Sequence, residues 1–390
     1  MATILLLVIY LAFISLGLPD SVLGTAWPIM HADLGCSISM AGVVNVVISL
    51  STVVSSLLSQ RMIRRMGTWG TTVFSIVLTF LALYLFSACR SIWPMIIFAI
   101  PLGLGAGAID TALNNYVANH YNAMQMNFLH AFWGVGTIIA PAMLSVFFST
   151  GHSWREGYVV LATIQAIICI IVFLSRPLWK KGDGRSRKEE MMEDEKKIYT
   201  PLQLLKVPGA LFSCLGFTFY TFEGVTILWI ASYLVYGKGL DASTAASLSS
   251  MVYLGITCGR IASAFIADRV DAKKLILTSQ LLIMACIVLL LFSTSVSLMY
   301  IVIFALGFSF GPIYPAMVRQ TVSCFHPRYS VGIISLQMSF NYVGNMITPP
   351  LYGLLSGLVG QQLFPFYVLV LVILQCTCTC LKNRFCTKGA

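Results

Sequence analysis

Three carboxylic acids and one imidazole interrupt segments that are otherwise apolar enough to cross a lipid bilayer. The acids are Asp20, Asp110 and Glu223, and the imidazole belongs to His130. A charged side chain at the bilayer centre costs about 2.5 to 3.5 kcal/mol on insertion scales, so it is retained mainly where it binds an ion, a proton or a substrate. We therefore predict functional acids, with helix capping or packing as the alternative. His130 can carry protons, although a lone membrane histidine is as often a structural hydrogen-bonding group.

The surroundings of Asp110 indicate which way its side chain points. The acid lies in the stretch PLGLGAGAIDTALNNYVANHY, residues 101–121. Gly103 and Gly107 form a small-residue face that lets a second helix approach closely, and Asn114 lies one turn beyond the acid on the same side. We therefore expect Asp110 to face protein or water rather than lipid.

Two further segments carry uncharged polar side chains along one helix face. These stripes are Asn45, Ser49, Thr52 and Ser56, and Gln337, Asn341, Asn345 and Thr348. Amides and hydroxyls at this spacing suit the hydroxyls of a sugar, but the same residue types also hold membrane helices together, so both interpretations stay open. The indoles of Trp27, Trp133 and Trp229 can stack on a sugar face or lie at the membrane interface.

These residues must be positioned by membrane-spanning helices. The chain of 390 residues is 58% hydrophobic and only 10% charged, far from the composition of an ordinary soluble domain. Since one span needs about 20 residues, the sequence predicts an all-α integral membrane protein with twelve spans. The predicted spans are 3–30, 38–59, 70–89, 92–119, 127–150, 157–176, 208–236, 244–266, 273–294, 297–321, 329–357 and 362–381.

The charged residues predict the orientation of the chain. With both termini in the cytoplasm, the inner loops, helix ends and tail hold twenty Lys or Arg, whereas the outer loops hold only Arg90, Arg155 and Lys238. This asymmetry follows the positive-inside rule, so the net charge of +10 reports topology rather than nucleic-acid binding. We predict a multi-pass protein of the plasma membrane. Arg260 lies within a span, and we expect it to pair with a carboxylate or with carbonyls near a cytoplasmic gate.

The eleven cysteines show no paired spacing typical of a disulfide framework, and we interpret them as small apolar packing residues. The run Cys376, Cys378 and Cys380 leaves soft-metal binding or lipid attachment as weaker alternatives. The sequence predicts no cofactor and no metal centre, and the first residues lack the basic region of a cleavable signal peptide.

The chain reads as two related halves. Residues 177–207 are strongly charged with both signs, which predicts a cytoplasmic linker between a six-helix bundle over 1–176 and a second over 208–390. Pairs that repeat at offsets of 203 to 208 residues are Asp20 and Glu223, Arg61 and Arg269, Gly103 and Gly307, Gly107 and Gly311, Gly136 and Gly344, and Pro141 and Pro349. Such parallel repeats are typical of transporters that rock about a central site. Tyr314 stands where Asp110 would repeat.

The two halves, the charged central loop and GRIASAFIADRVDAKK at residues 259–274 resemble the major facilitator superfamily. Four stretches are similar to its branch of fucose, glucose and galactose proton symporters. They are LPDSVLGTAWP in span one, GLGAGAIDTALNNYV in span four, MNFLHAFWGVGTIIAP in span five and YTFEGVTILWIASYL in span seven.

The resemblance implies roles for individual residues. Asp20 would contribute to sugar binding, and Asp110 would take up and release the coupling proton. The superfamily's cytoplasmic signature carries an acid that Asp268 keeps, next to Arg269, whereas the first half has Gln60 there. We predict proton coupling by Asp110, Glu223 and His130 and a gate formed by Arg260, Asp268 and Arg269. The predicted solute-binding residues are Asp20, Asn45, Asn114, Trp133, Tyr314, Gln337, Asn341 and Asn345.

The predicted function is therefore proton-coupled symport of a sugar or similar small polar solute by a monomeric transporter. The main alternative is a proton-driven exporter of amphipathic compounds, and a membrane sensor that signals through the linker is a second. An enzyme is not expected, because no nucleophile–base pair, metal-ligand cluster or phosphate-binding loop is evident.

Overall fold

The structure is a computed structural model that describes residues 2–121, 123–179, 200–266 and 269–386. Throughout these residues the secondary structure is helical, without strands, which confirms the predicted fold class. The described chain divides into two compact units. Unit 1 comprises Met1–Lys196 and Asp241–Ser250, and unit 2 comprises Lys197–Leu240 and Met251–Ala390. The predicted linker at 177–207 lies largely outside the described residues and stays a prediction.

The part of unit 1 that precedes the linker contains five long helices and one short one. They are α1 (Ala2–Asp33), α2 (Met40–Ala88), α3 (Ile92–His120), α4 (Ala123–Ser149), α5 (Trp154–Leu174) and α6 (Arg176–Trp179). Gly67 breaks α2 into two consecutive spans, because its φ of 69° lies in the left-handed region that glycine adopts without strain. The break falls between the spans predicted at 38–59 and 70–89.

The remaining chain begins with the short α7 (Pro201–Leu205) and contains more interrupted helices. They are α8 (Ala210–Phe219), α9 (Phe222–Ser232), α10 (Ala242–Ile266), α11 (Ala272–Phe292), α12 (Val296–Phe310), α13 (Ile313–Cys324), α14 (Pro327–Val359) and α15 (Phe364–Cys386). A π-helical turn, Tyr233–Gly237, continues α9, and a 3-10 turn, Gln361–Leu363, precedes α15.

The lengths and apolar compositions of the helices support a multi-pass membrane protein. Ten segments among the described residues are long and apolar enough to cross a membrane. Helices α10 and α14 have 25 and 33 residues, enough to span by length, but they carry more polar side chains. Together these elements correspond to the twelve predicted spans.

Two of the spans that we predicted as continuous are broken. The seventh is interrupted at Tyr220 and Thr221, where the Thr221 hydroxyl donates to the Thr218 carbonyl at 2.7 Å and competes with the helical ladder. The tenth is interrupted at Gly311 and Pro312, because proline lacks the N–H that would continue the ladder. Sequence periodicity missed both breaks, since the apolar pattern continues across them.

Helix contacts repeat between the two units at a single offset. A methyl group added at Gly103 would collide with the Ile48 carbonyl, and one added at Gly307 would collide with the Val252 carbonyl. Both residues of the second pair lie 204 positions after their counterparts. Gly107 and Gly311 face Thr52 and Ile256 in the same way. The predicted internal repeat is therefore also a repeat of close helix packing.

Hydrogen bonds tie three helix ends of unit 1 together. The Asp33 carboxylate accepts from Trp154 Nε1 at 2.9 Å and from the Arg155 guanidinium, which also donates to the Cys89 carbonyl at 3.0 Å. The Arg155 guanidinium lies 4.4 Å from the Trp154 ring centroid. These contacts fix the end of α1, the helix that carries Asp20.

The cysteines are mostly packing residues, as predicted. Those with free thiols are Cys36, Cys89, Cys169, Cys214, Cys258, Cys286, Cys376, Cys378 and Cys380, and most of these are buried or half-buried. Cys324 is disulfide-bonded, which corrects the prediction for that residue.

Candidate functional site

The first acid of unit 1 is held by an indole. Gly17 on α1 and Gly136 on α4 lack side chains where the two helices meet, so the helices pack backbone against backbone. This close approach brings Trp133 Nε1 within 2.8 Å of Asp20 Oδ2, to which it donates a hydrogen bond. Asp20 is exposed although it lies in the middle of a 31-residue span. Its carboxylate can therefore be reached by a ligand.

The second acid of unit 1 is held by an amide on its own helix. Asn114 Nδ2 donates to Asp110 Oδ1 at 2.8 Å and to the Asp110 carbonyl at 2.9 Å. Both residues are half-buried, as the sequence analysis expected for an acid that does not face lipid. Helices α1 and α3, which carry the two acids, are in contact. Unit 1 thus contains two acids at membrane depth, Asp20 bonded to Trp133 and Asp110 bonded to Asn114.

The hydrogen-bond donors to these two acids are uncharged. Among the described residues, the ion pairs within 4.0 Å join His152 to Glu156, Arg155 to Asp33 and Arg260 to Glu223. Neither Asp20 nor Asp110 takes part in any of them. An indole and an amide can hold a carboxyl group without supplying a compensating positive charge.

The acid of unit 2 has a different environment. Arg260 Nη2 lies 3.5 Å from Glu223 Oε1, and the Tyr220 hydroxyl donates to the same carboxylate. The side chain of Glu223 is 12% exposed and that of Arg260 is 31% exposed. The Tyr220 oxygen also lies 3.4 Å from the Phe310 carbonyl, next to the break between α12 and α13. The ion pair therefore lies where both interrupted spans meet.

Polar side chains of α14 and α13 extend this cluster. Gly224 leaves room for Asn345 Oδ1, which would collide with a methyl group there. Asn345 Nδ2 donates to the Asn341 carbonyl at 3.2 Å, while Asn341 Oδ1 is buried without a hydrogen-bond partner among the described residues. Tyr314 packs 6.1 Å from the Tyr220 ring, and its hydroxyl lies 2.9 Å from Met338 Sδ.

Several predicted polar residues serve helix packing instead. Gln337 is fully buried, and its amide donates to Ser213 at 2.6 Å and to Thr321 at 2.9 Å, which places it away from any solute. In the α2 stripe, Thr52 and Ser56 donate to the carbonyls of Gly103 and Gly107 at 3.2 and 3.3 Å. The packing interpretation therefore holds for these three residues.

The remaining candidates are Asn45, His130, Arg269 and Asp268. Asn45 is half-buried on α2. His130 is exposed, with its ring edge-to-face to Phe13 at 5.8 Å. Arg269 is exposed at the start of the turn before α11. Asp268 lies outside the described residues, so the predicted gate of Arg260, Asp268 and Arg269 stays a prediction.

Two of the three tryptophans proposed for sugar stacking are structural. Trp27 and Trp229 are fully buried, and their indole N–H groups donate to the carbonyls of Ile38 at 2.7 Å and Pro349 at 2.9 Å. Trp133 is half-buried and bonded to Asp20, so it alone of the three borders a candidate site.

The sequence analysis did not include Tyr220 among the predicted site residues. Its hydroxyl contacts Glu223, three positions later in the chain, across the break between α8 and α9. A tyrosine at this spacing before a membrane acid was the available signal. Taken separately, unit 1 offers two carboxyl groups able to bind a cation or proton, and unit 2 offers amides, hydroxyls and rings able to bind a polar solute.

Comparison with known proteins identifies what the chain is similar to. A family model described as Major Facilitator Superfamily matches residues 9–263 and 212–381. The chain is 21% identical over 303 residues to the glucose/mannose transporter GlcP of Bacillus subtilis (strain 168), covering 76% of this chain and 74% of that protein. It is 20% identical over 388 residues to sodium-dependent glucose transporter 1A of Mus musculus, covering 89% and 88%.

A solved structure shares the fold. The crystal structure of a D-xylose-proton symporter aligns with a TM-score of 0.71 at 13% identity, covering 95% of this chain and 96% of that one. At this identity the likeness concerns the fold alone.

Proposed function

Because the chain belongs to the Major Facilitator Superfamily and is a membrane transporter rather than an enzyme, we propose that it is a proton-coupled symporter of a sugar or similar small polar solute. We further propose that it resides in the plasma membrane with both termini cytoplasmic, as its charge asymmetry indicates, and that it works as a monomer. Alternating access, in which a site is open to one side of the membrane at a time, would move the solute.

The observation that carries the proposal is the pair Asp20 and Asp110. Both carboxyl groups lie within membrane spans, and their hydrogen-bond donors, Trp133 and Asn114, are neutral. A proton is the smallest ligand that removes an uncompensated negative charge at membrane depth. Sequestering the site from water is then less costly with the proton bound than without it.

Coupling of solute to proton follows from these charges. A solute drives proton movement only if it binds one protonation state better than the other. Protonation of Asp110 turns an acceptor into a group that can also donate to a hydroxyl, while Asp20 and Trp133 remain available to the solute. Return to water on the other side of the membrane favours release of the proton.

A sugar is the solute class that the polar side chains of each unit fit best. In unit 1, Asn114 offers an amide and Trp133 an aromatic face, and in unit 2, Asn341, Asn345 and Tyr314 offer amide and phenol groups. The similar proteins are, by name, a glucose/mannose transporter, a sodium-dependent glucose transporter and a D-xylose-proton symporter. Their names support a sugar but differ in the coupling ion, which makes the ion the point to test.

The test is uptake of labelled hexoses and pentoses by proteoliposomes under an imposed proton gradient, an imposed sodium gradient, or neither. We expect concentrative uptake of one sugar under the proton gradient alone, abolished by a protonophore. Concentrative uptake under the sodium gradient would show that the coupling ion is sodium rather than the proton. Proton-driven movement of amphipathic compounds out of the vesicles, with no sugar uptake, would contradict symport and favour export.

A further inference from the structure

A groove runs along the outside of unit 2 between α11 and α15, which pack against each other. It has a volume of about 390 Å³. Its lining is apolar or weakly polar except at one end, and consists of Met284, Ile373, Cys376, Thr377, Cys380, Leu381 and Arg384. Neither the carboxylates of unit 1 nor the Glu223 cluster lies in it.

The lining of the groove on α15 follows one helix face at the spacing of successive turns. Ile373, Thr377 and Cys380 are exposed on this face, and the Thr377 hydroxyl donates to the Ile373 carbonyl at 2.8 Å, which leaves its methyl group to face outward. Cys376 and Cys380 lie one turn apart on α15. The wall is therefore an apolar surface without unsatisfied polar groups directed at a water-soluble ligand.

The length of the groove matches one leaflet of a bilayer. Ile373 and Arg384 are eleven residues apart, which corresponds to about 16 Å along the helix. The hydrocarbon core of a bilayer is about 30 Å thick, so the groove extends from near its middle to the level of the headgroups. The single guanidinium lies at the headgroup end, where α15 approaches its last residue.

The charges at this end of unit 2 favour an anion. Lys273 at the start of α11 and Lys382 on α15 are basic side chains at this end of unit 2. Lys382 is buried and bonded to Gln320 on the opposite side of α15 from the groove, and the nearby acid Asp271 accepts from the Lys273 backbone N–H to cap α11. Arg384 is therefore the charged side chain among the lining residues, and an anionic group complements it.

We propose that the groove binds an anionic phospholipid, with the phosphate at Arg384 and one acyl chain along the face from Cys380 to Ile373. A guanidinium matches a phosphate with two parallel hydrogen bonds, and basic pockets between spanning helices on the cytoplasmic side hold anionic headgroups. The apolar wall supplies the contact for the chain, while the arginine selects the headgroup. A zwitterionic lipid lacks the net charge that this selection requires.

The test is native mass spectrometry of the full-length protein in detergent, titrated with phosphatidylglycerol or phosphatidylcholine of the same chains. We expect saturable phosphatidylglycerol adducts, weakened about fivefold by Arg384→Gln, which corresponds to about 1 kcal/mol per basic residue. Arg64→Gln, which removes an exposed arginine of unit 1, is the matched control and should leave the adduct unchanged. Cys380→Phe fills the groove and should weaken the adduct while Arg384 is retained.

Three results would overturn the proposal. The first is equal binding of the two lipids, and the second is an unchanged adduct in both Arg384→Gln and Cys380→Phe. The third is an acyl mass that hydroxylamine removes and that is absent in Cys380→Ser. The last would mean that the chain in the groove is a covalent thioester rather than a phospholipid. Thermal melting of each variant in plain detergent verifies that it is folded.

Discussion

The acids of the two units have opposite electrostatic environments. In unit 1, Asp20 and Asp110 accept hydrogen bonds from an indole and an amide, both uncharged. In unit 2, Glu223 accepts from Tyr220 and forms an ion pair with Arg260. Both arrangements are built on the same close helix packing, with glycines repeated at one offset. The packing has been kept in both halves, whereas the chemistry has diverged.

The difference suggests a division of labour. A proton on Asp110 would remove an unfavourable charge, but a proton on Glu223 would remove its attraction to the Arg260 cation. We therefore assign the coupling proton to unit 1 and interpret the Glu223–Arg260 pair as a structural element beside the two helix breaks. Glu223 is then a weaker candidate for proton coupling than the sequence analysis predicted.

Breaking the ion pair should have the largest effect on stability. Glu223→Gln and Arg260→Gln each remove one partner of the ion pair. We expect each to lower the free energy of unfolding by about 3 kcal/mol, which is the lower end of the range for buried pairs, because Arg260 is partly exposed. The double variant should recover most of this loss. Thermal melting in detergent measures all three proteins. Additive losses in the double variant would show that the pair is not a unit.

Disturbing the close helix packing at the paired glycines should have the second-largest effect on stability. Gly107→Ala and Gly311→Ala each place a methyl group against the backbone of a neighbouring helix, and overpacking of this kind costs about 1 to 3 kcal/mol. Gly357→Ala is the control, since its added methyl group meets open space in α14. Equal melting temperatures for all three variants would contradict the common packing of the two units.

The hydrogen bond from the Trp133 indole to Asp20 should affect solute binding more than stability. Trp133→Phe keeps the ring and removes the donor, and a hydrogen bond to a charged group contributes about 1.5 kcal/mol or more. We expect the apparent affinity for solute to fall about tenfold in counterflow assays. Trp27→Phe removes a buried donor to the backbone and should lower stability while leaving affinity unchanged. If Trp133→Phe lowered only stability and Trp27→Phe lowered affinity, Trp133 would not belong to the solute-binding site.

Asp241 caps a helix and is a structural reference for the acids of the membrane spans. Asp241, outside the spans, accepts from the Thr244 N–H at 2.8 Å and from its hydroxyl at 2.7 Å, and these donors hold the pKa of Asp241 below its usual value. Asp241→Ala should cost about 1 kcal/mol through the lost cap of α10.

The pH dependence of this loss follows from the depressed pKa. The stabilisation is fully present above the usual pKa of about 3.9 and is lost as the pH falls through the lower, folded-state value. The melting temperatures of wild type and variant should therefore converge in acid. A difference that grows as the pH falls would contradict the capping role.

The sequence predicts the spans well because apolar segments of this length are favoured in the hydrocarbon core of a bilayer rather than in water. It also identifies Asp20, Asp110 and Glu223, since an acid at membrane depth stands out by composition. It does not predict that Arg260 pairs with Glu223, 37 positions away, because that contact depends on how separate helices pack. Nor does it distinguish Gln337, buried in packing, from Asn341, whose oxygen has no described partner, because both are amides on one stripe.

The central claim is that the proton is carried by the carboxylates of unit 1 and not by the glutamate of unit 2. The most direct test is solute-driven proton uptake into proteoliposomes by Asp110→Asn and by the double variant Glu223→Gln/Arg260→Gln, with solute exchange measured in parallel. The account predicts that Asp110→Asn retains exchange but loses proton movement, and that the double variant retains both. Proton movement that persists in Asp110→Asn, or that disappears in the double variant while exchange continues, would contradict it.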